Sequence, residues 1–211
     1  INTPNFDSVA SKGILFDNAF TCNSKSAPSR ACMITGRNSW QLEEAANHWC
    51  EFPQKFVSFP EVLKKAGYHT GFTGKGWGPG IAKNSDGSNR RLTGKPYNKI
   101  KCEPPTKEIS PIDYAANFKA FLADRKEGEP FCFWYGAREP HRGYEFGSSI
   151  RNGRHPEDID SVPSYWPDNE TVRTDMLDYA LEIEHFDRHL GEILAAVDSI
   201  GELENTIVIV T

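Results

Sequence analysis

Three short stretches carry side chains suited to chemistry on an anion. The first is residues 24–37, SKSAPSRACMITGR. Ser26 offers a hydroxyl nucleophile, and Arg30 adds a guanidinium whose planar fork suits a tetrahedral oxyanion. Pro28 punctuates a boundary, Ser29 is the expected N-cap, and Ala31, Cys32, Met33 and Ile34 supply a short apolar turn. Gly36 is then able to end the helix in a left-handed conformation. This arrangement sets Ser26 beside a helix N-terminus, where backbone amides and the positive end of the dipole favour negative charge.

The second stretch is residues 73–80, TGKGWGPG, after an expected strand. Its glycines let backbone approach a ligand, and Lys75 supplies a point charge. The third is Arg138-Glu139-Pro140-His141-Arg142, just past the apolar run 131–135. A histidine there can act as a general acid or donate to an anion. His185 and His189 stand four apart, a spacing open to a metal. With no acidic third ligand demanded, they read as a solvated face, as does the acidic run 157–160.

The elements that must position these residues alternate helix and strand. Residues 4–12 suit a first helix, with Pro4 at its start and Gly13 past its end. Ile14–Phe20 reads as a strand feeding the Ser26 stretch, and 38–58 shows no clear period. Phe59–Ala66 is a helix closed by Gly67, and Tyr68–Thr73 is a strand. Asp113–Lys126 is helical, with Tyr114, Phe118, Phe121 and Leu122 in one stripe. Phe131–Tyr135 is the apolar run of a buried strand. Thr171–Ile200 is the longest helix, and Thr206–Val210 a last strand. Loops over 74–111 and 137–170 are long enough to be functional. Alternation of this kind predicts a layered α/β sheet with helices on both faces.

Composition narrows the class. The chain has 211 residues, enough for one substantial core, and the expectation is a single domain over 1–211. A net charge of −5 argues against a general polyanion surface, so nucleic acid is not an expected partner. No apolar run is long enough to span a bilayer. The five cysteines lack C-x-x-C spacing, and their odd number precludes complete intrachain pairing. Both ends read as cut, with no signal peptide and with a first strand and a C-terminal part expected beyond the chain.

The pattern Ser26-x-Pro28-Ser29-Arg30 followed by Thr35-Gly36-Arg37 resembles the signature of type I sulfatases. The flanks Thr3-Pro4-Asn5-Phe6-Asp7 and Gly13–Phe20 resemble the segment that precedes that signature. Within the family the chain looks most like the heparan N-sulfatase (sulfamidase) group, through the Ser26 pattern, Glu139-Pro140-His141-Arg142-Gly143 and the general run of 1–80. The resemblance implies an alkaline-phosphatase-like fold and oxidation of position 26 to formylglycine by a maturation enzyme. Serine in place of cysteine suits either a serine-type enzyme matured by a radical system or a Cys-to-Ser protein that stays unmodified.

By the same resemblance, the activity is hydrolysis of a sulfate ester or sulfamate on a glycosaminoglycan-type sugar such as heparan sulfate. One divalent cation, calcium, is implied; position 26 is its ligand within this chain and the others fall outside it. Ser26, Arg30, Lys75 and His141 take the catalytic positions. Trp77 stands where the family usually has histidine, so it and Arg142 are assigned to substrate. The basic segment 89–95 could grip a sulfated polysaccharide or be a solvated loop. The expected location is periplasmic or extracellular, and a fragment without the remaining ligands is expected to be inactive. Two alternatives stay open: a phosphomonoesterase or phosphodiesterase of the alkaline phosphatase superfamily using unmodified Ser26, and a non-catalytic sulfated-glycan-binding protein.

Overall fold

The computed structural model describes residues 1–211. In chain order the main elements are α1 (Pro4–Lys12), α2 (Ser26–Thr35), β1 (Cys50–Phe52), α3 (Phe59–Lys65), β2 (His69–Gly74) and β3 (Gly80–Ala82). There follow β4 (Lys95–Pro96), α4 (Tyr114–Ala123), β5 (Phe131–Gly136), α5 (Ser148–Arg151) and α6 (Glu170–Ser199). They form two compact units, each assembled from separated segments of chain.

One unit, residues 16–99 with 116–136, holds every strand. Its sheet has the order β4-β2-β5, all parallel, with β2 and β5 in register from His69 opposite Phe131 to Gly74 opposite Gly136. A second parallel pair joins β1 to β3. Parallel strands need covered faces, which explains the apolar β5 sequence FCFWYG. Phe118 and Phe121 of α4 pack on Phe133 at 4.8 and 4.7 Å between ring centroids. Gly71 makes room for this layer, since a Cβ there would lie 2.8 Å from the Phe121 ring. Buried Ala31, Ile34, Leu42, Phe52 and Leu92 form a second cluster under α2.

α3 is capped by Ser58, whose backbone and hydroxyl both donate to Glu61. Glu61 also pairs with Arg90 at 2.6 Å, and that guanidinium donates to the carbonyls of Phe56 and Gln54. These charge-assisted bonds outweigh burial and hold the Glu61 carboxyl below its ordinary pKa. Arg90 is thus spent inside the unit, which removes it from any polysaccharide grip by segment 89–95.

The other unit, residues 1–15, 100–115 and 137–211, is built on α6. Asn169 caps that helix through the Val172 amide at 3.0 Å. Its carboxylates cap two other helices. Asp187 accepts from the Asn5 and Phe6 amides at the start of α1, the latter at 2.7 Å. Asp178 accepts from the Gly147 and Ser149 amides and both serine hydroxyls at the start of α5. In each case an anion meets the amides that a helix start leaves unpaired.

Several expectations need correction. α2 begins at Ser26 with Lys25 as N-cap, so Ser29 lies inside the helix. Pro28 causes the shift, because a first-turn proline lacks an N–H that the helix would leave unpaired anyway. Ile14–Phe20 forms no strand, and Ile14, Leu15, Phe16 and Phe20 are all largely exposed. Thr206–Val210 is likewise not a strand. Neither segment has a strand neighbour to take its backbone hydrogen bonds, and apolar alternation alone cannot supply one. His185 and His189 are not solvated: they are 5% and 1% exposed. All five cysteines are free.

Candidate active site

In the sheet-bearing unit the Ser26 and Lys75 stretches meet. Ser26 is the first residue of α2, and the Lys25 N-cap makes no side-chain cap. Pro28 brings no N–H to the first turn, so the Ser26 and Ala27 amides are the donors that this turn can offer. Ser26 Oγ donates to the Gly78 carbonyl at 3.2 Å and accepts from Arg30 Nε at 3.2 Å. Arg30 goes further, donating to the carbonyls of Lys75 at 2.7 Å and Gly76 at 3.0 Å. Its guanidinium also lies 6.0 Å from the centre of the Trp134 ring. Burial pulls the Arg30 pKa down, yet an arginine remains charged. A single side chain therefore fixes the hydroxyl of α2 against the loop that follows β2.

That loop is itself pinned from below. The Lys75 amide donates to the Gly136 carbonyl at 2.6 Å, extending the β2–β5 ladder by one rung. A Cβ at Gly136 would stand 2.0 Å from the Lys75 carbonyl oxygen, and one at Gly76 would stand 2.3 Å from Thr93 Oγ1. Gly136 thus admits the Lys75 backbone and Gly76 the Thr93 hydroxyl, whereas the sequence suggested the 73–80 glycines for approach to a ligand. Trp77 is half-buried: its Nε1 donates to the Ala27 carbonyl at 3.2 Å, and its ring packs edge-on against Phe52 at 5.2 Å. The indole ties loop to helix, a job that composition gave no hint of.

His141 and Arg142 lie in the α6 unit, both exposed. His141 Nδ1 donates to the Arg142 carbonyl at 2.8 Å, because a carbonyl can only accept. The neutral ring therefore presents Nε2 as its lone pair. Arg142 pairs with Asp175 at 2.6 Å and donates to the Tyr144 hydroxyl at 2.7 Å, which raises its pKa and holds it along α6.

Sequence reasoning missed a buried polar seam in this unit. Asp178, Glu182, His185 and His189 follow one face of α6 and are all buried. Their spacing of four, three and four residues is the signal of one helix face, masked because polar side chains are expected to face water. Glu182 Oε1 and His185 Nε2 are buried without a hydrogen-bond partner. Burial, with Glu139 and Glu108 nearby, lifts the Glu182 carboxyl to about 7. Burial and the Arg188 charge lower His189 to about 4, and burial beside His189 lowers His185 as well. Asp113, His189 and Glu192 bring ligand atoms within 4.8 Å of one another, a loose cluster able to suit a metal. Arg188 already supplies positive charge there, at 2.6 Å from Glu192 and 3.1 Å from His189 Nε2.

Comparison with known proteins places this arrangement in context. The family model described as Sulfatase matches residues 1–211. An N-acetylglucosamine-6-O-sulfatase of Bacteroides thetaiotaomicron is 36% identical over 154 residues, covering 68% of this chain and 27% of the relative. The human N-sulphoglucosamine sulphohydrolase is 27% identical over 243 residues, covering all of this chain and 45% of the relative. The chain thus spans half or less of the length of these relatives. Among solved structures, a protein in complex with its substrate D-glucosamine-2-N,6-O-disulfate superposes with a TM-score of 0.65 at 22% identity, covering 98% of this chain and 59% of that one. A phosphonate monoester hydrolase of Agrobacterium radiobacter gives 0.59 at 16% identity, covering 98% and 56%. The last two speak to the fold alone, which is the alkaline-phosphatase-like α/β fold, present here in part.

Proposed function

The chain belongs to the sulfatase family, and on that premise we propose that the whole protein hydrolyses a sulfate ester or sulfamate on a glycosaminoglycan-type sugar, with an N-sulfoglucosamine-like unit as substrate. The observation that carries the reading is Arg30, which joins Ser26 Oγ to the carbonyls of Lys75 and Gly76. Two relatives whose names specify glucosamine derivatives support the sugar class. We assign catalytic roles to Ser26, Arg30, Lys75 and His141.

Position 26 suits formylglycine, since its oxygen has a charged donor on one side and a carbonyl acceptor on the other. Formylglycine, made from Ser26 by a maturation enzyme, would supply a hydrated aldehyde as a renewable oxygen nucleophile. Arg30 through Nε–H and the Gly78 carbonyl, which hold the Ser26 oxygen, would hold and orient the formylglycine oxygen in the same way. Lys75 contributes positive charge to the oxygens of the transferring group, and His141, once protonated at Nε2, gives a proton to the departing sugar oxygen or nitrogen. Both act on charge that grows in the transition state, which is where such groups accelerate a reaction.

Calcium fits less well to these residues. It requires several oxygen ligands, and the hydrogen-bonding neighbours of Ser26 Oγ are a guanidinium and one carbonyl. The cluster of carboxylates and imidazole at Asp113, His189 and Glu192 lies in the other unit. Ser26 and its neighbours alone do not assemble a calcium site. Trp77 offers substrate only the part of its ring left free by Phe52 and Ala27, and Arg142 only what Asp175 leaves. A periplasmic or extracellular location is proposed with this function; no helix is long and apolar enough to cross a membrane.

Sulfate release from a panel of N- and 6-O-sulfated glucosamines by the full-length, matured protein tests the reading, paired with peptide mass analysis at position 26. Release together with loss of two hydrogens at Ser26 is expected. An active enzyme whose serine is untouched would overturn it in favour of a phosphoesterase, and saccharide binding without turnover in favour of a binding protein.

A further inference from the structure

The stretch that leads into His141 is anchored by a buried carboxylate. Glu139 is 6% exposed, and both of its oxygens are taken: the Ser110 amide donates to Oε1 and the Tyr114 hydroxyl donates to Oε2, each at 2.7 Å. The Tyr114 oxygen in turn accepts from the Arg138 amide at 3.1 Å, and the Arg138 carbonyl accepts from the His141 amide at 3.1 Å. A continuous relay thus runs from Ser110 through Glu139 and Tyr114 to the backbone of His141. Tyr114 is fully buried, so it has no room to take another rotamer.

From this geometry we propose that Glu139 is a positioning residue, the anchor through which Tyr114 and Ser110 fix the backbone that presents the His141 ring. The proposal rests on the role assigned to His141 above. Two features support it beyond ordinary packing. A buried carboxylate is costly to retain unless hydrogen bonds compensate it, and here two good donors do so. Those donors come from residues 110 and 114, while everything they restrain lies within two residues of the carboxylate itself. The relay therefore acts on a short loop whose Arg138, His141 and Arg142 side chains are exposed, so that none of them anchors it from within the core. Glu182, the other buried acid near Glu139, sits on α6 and makes no bond to this loop through its Oε1.

A double-mutant cycle on the full-length, matured protein tests the proposal, with sulfate release from N-sulfoglucosamine as the readout. Glu139→Gln keeps the shape but replaces one acceptor oxygen with a donor, and Tyr114→Phe removes both bonds of the hydroxyl. Each is expected to lower kcat about tenfold with KM within about twofold. In a His141→Ala background each should change kcat by less than about twofold, because the residue they position is gone. Equal losses in both backgrounds would show a general structural role and overturn the proposal, as would full kcat in both single variants. Should Glu139→Gln fail to fold, Tyr114→Phe carries the cycle alone. Wild-type kcat in His141→Ala by itself overturns the histidine assignment, a failure distinct from additive losses.

Discussion

Replacing Arg30 with methionine removes the hydrogen bonds to Ser26 Oγ and to the carbonyls of Lys75 and Gly76 while keeping most of the apolar stem. The carbonyl contacts, at 2.7 and 3.0 Å, are charge-assisted and partly buried. Bonds of this type are worth roughly 1.5–3 kcal/mol each. Losing two, with some relief as water reaches the vacated carbonyls, gives an expected cost of about 3–5 kcal/mol. Arg30→Lys is the sharper control. It keeps the charge, but one ammonium cannot reproduce the fork, so the variant should recover less than about half of the loss. Denaturant midpoints of the full-length protein report the magnitude, and hydrogen exchange of peptides covering 74–79 reports the place. Exchange there should rise in Arg30→Met while peptides covering 178–189 in α6 stay unchanged. A loss below about 1 kcal/mol, with exchange over 74–79 unaltered, would mark Arg30 as an ordinary surface arginine and remove the link between Ser26 and Lys75.

Gly136→Ala would drive a Cβ to 2.0 Å from the Lys75 oxygen; overpacking of this kind costs about 1–3 kcal/mol, and kcat should fall further than stability because Lys75 is displaced, which paired melting and turnover measurements would resolve. Lys75→Ala and His141→Ala should each lower kcat at least about tenfold, equivalent to about 1.4 kcal/mol of transition-state stabilisation, and unchanged kinetics in either would remove that residue from the catalytic set. Glu182 has its carboxyl raised from 4.5 to about 7, so the folded state keeps a proton that the unfolded chain releases. Burial penalises the ionised form, so stability is full below the ordinary value and is lost as pH rises through the folded one. Glu182→Gln should therefore gain on the wild type in urea midpoints at about pH 8 relative to about pH 4. An equal difference at both pH values would refute the raised ionisation. His185 and His189, lowered by burial, weaken the fold in the opposite direction as pH falls below the ordinary histidine range.

Much of this architecture was legible in the residues. Pro4 and Gly13 bounded α1, Gly67 marked the end of the α3 helix, and the apolar run 131–135 read as a covered strand. The meeting of Ser26, Arg30 and Lys75 followed from the local patterns once both were placed at element ends. What failed was non-local. Ile14–Phe20 and Thr206–Val210 have strand chemistry without a strand partner, and pairing is not written in either segment. The Ser29 cap lost to Lys25 because Pro28 is as acceptable inside a first turn as before one. The carboxylates of α6 escaped notice because polarity reads as exposure until the helix starts they cap, at α1 and α5, are known to face them. Glu139 gives no local sign of its anchoring role, because its donors, Ser110 and Tyr114, lie more than twenty residues upstream.

The extra ladder rung between Lys75 and Gly136 implies a division of labour in this unit. Since the lysine takes its backbone position from a neighbouring strand, its placement does not depend on how the chain continues past Trp77. The tip closed by the antiparallel bridge between Lys83 and Asn89 is therefore free to vary in length and sequence. Grafting a foreign turn at residues 84–88 should leave the lysine where it stands.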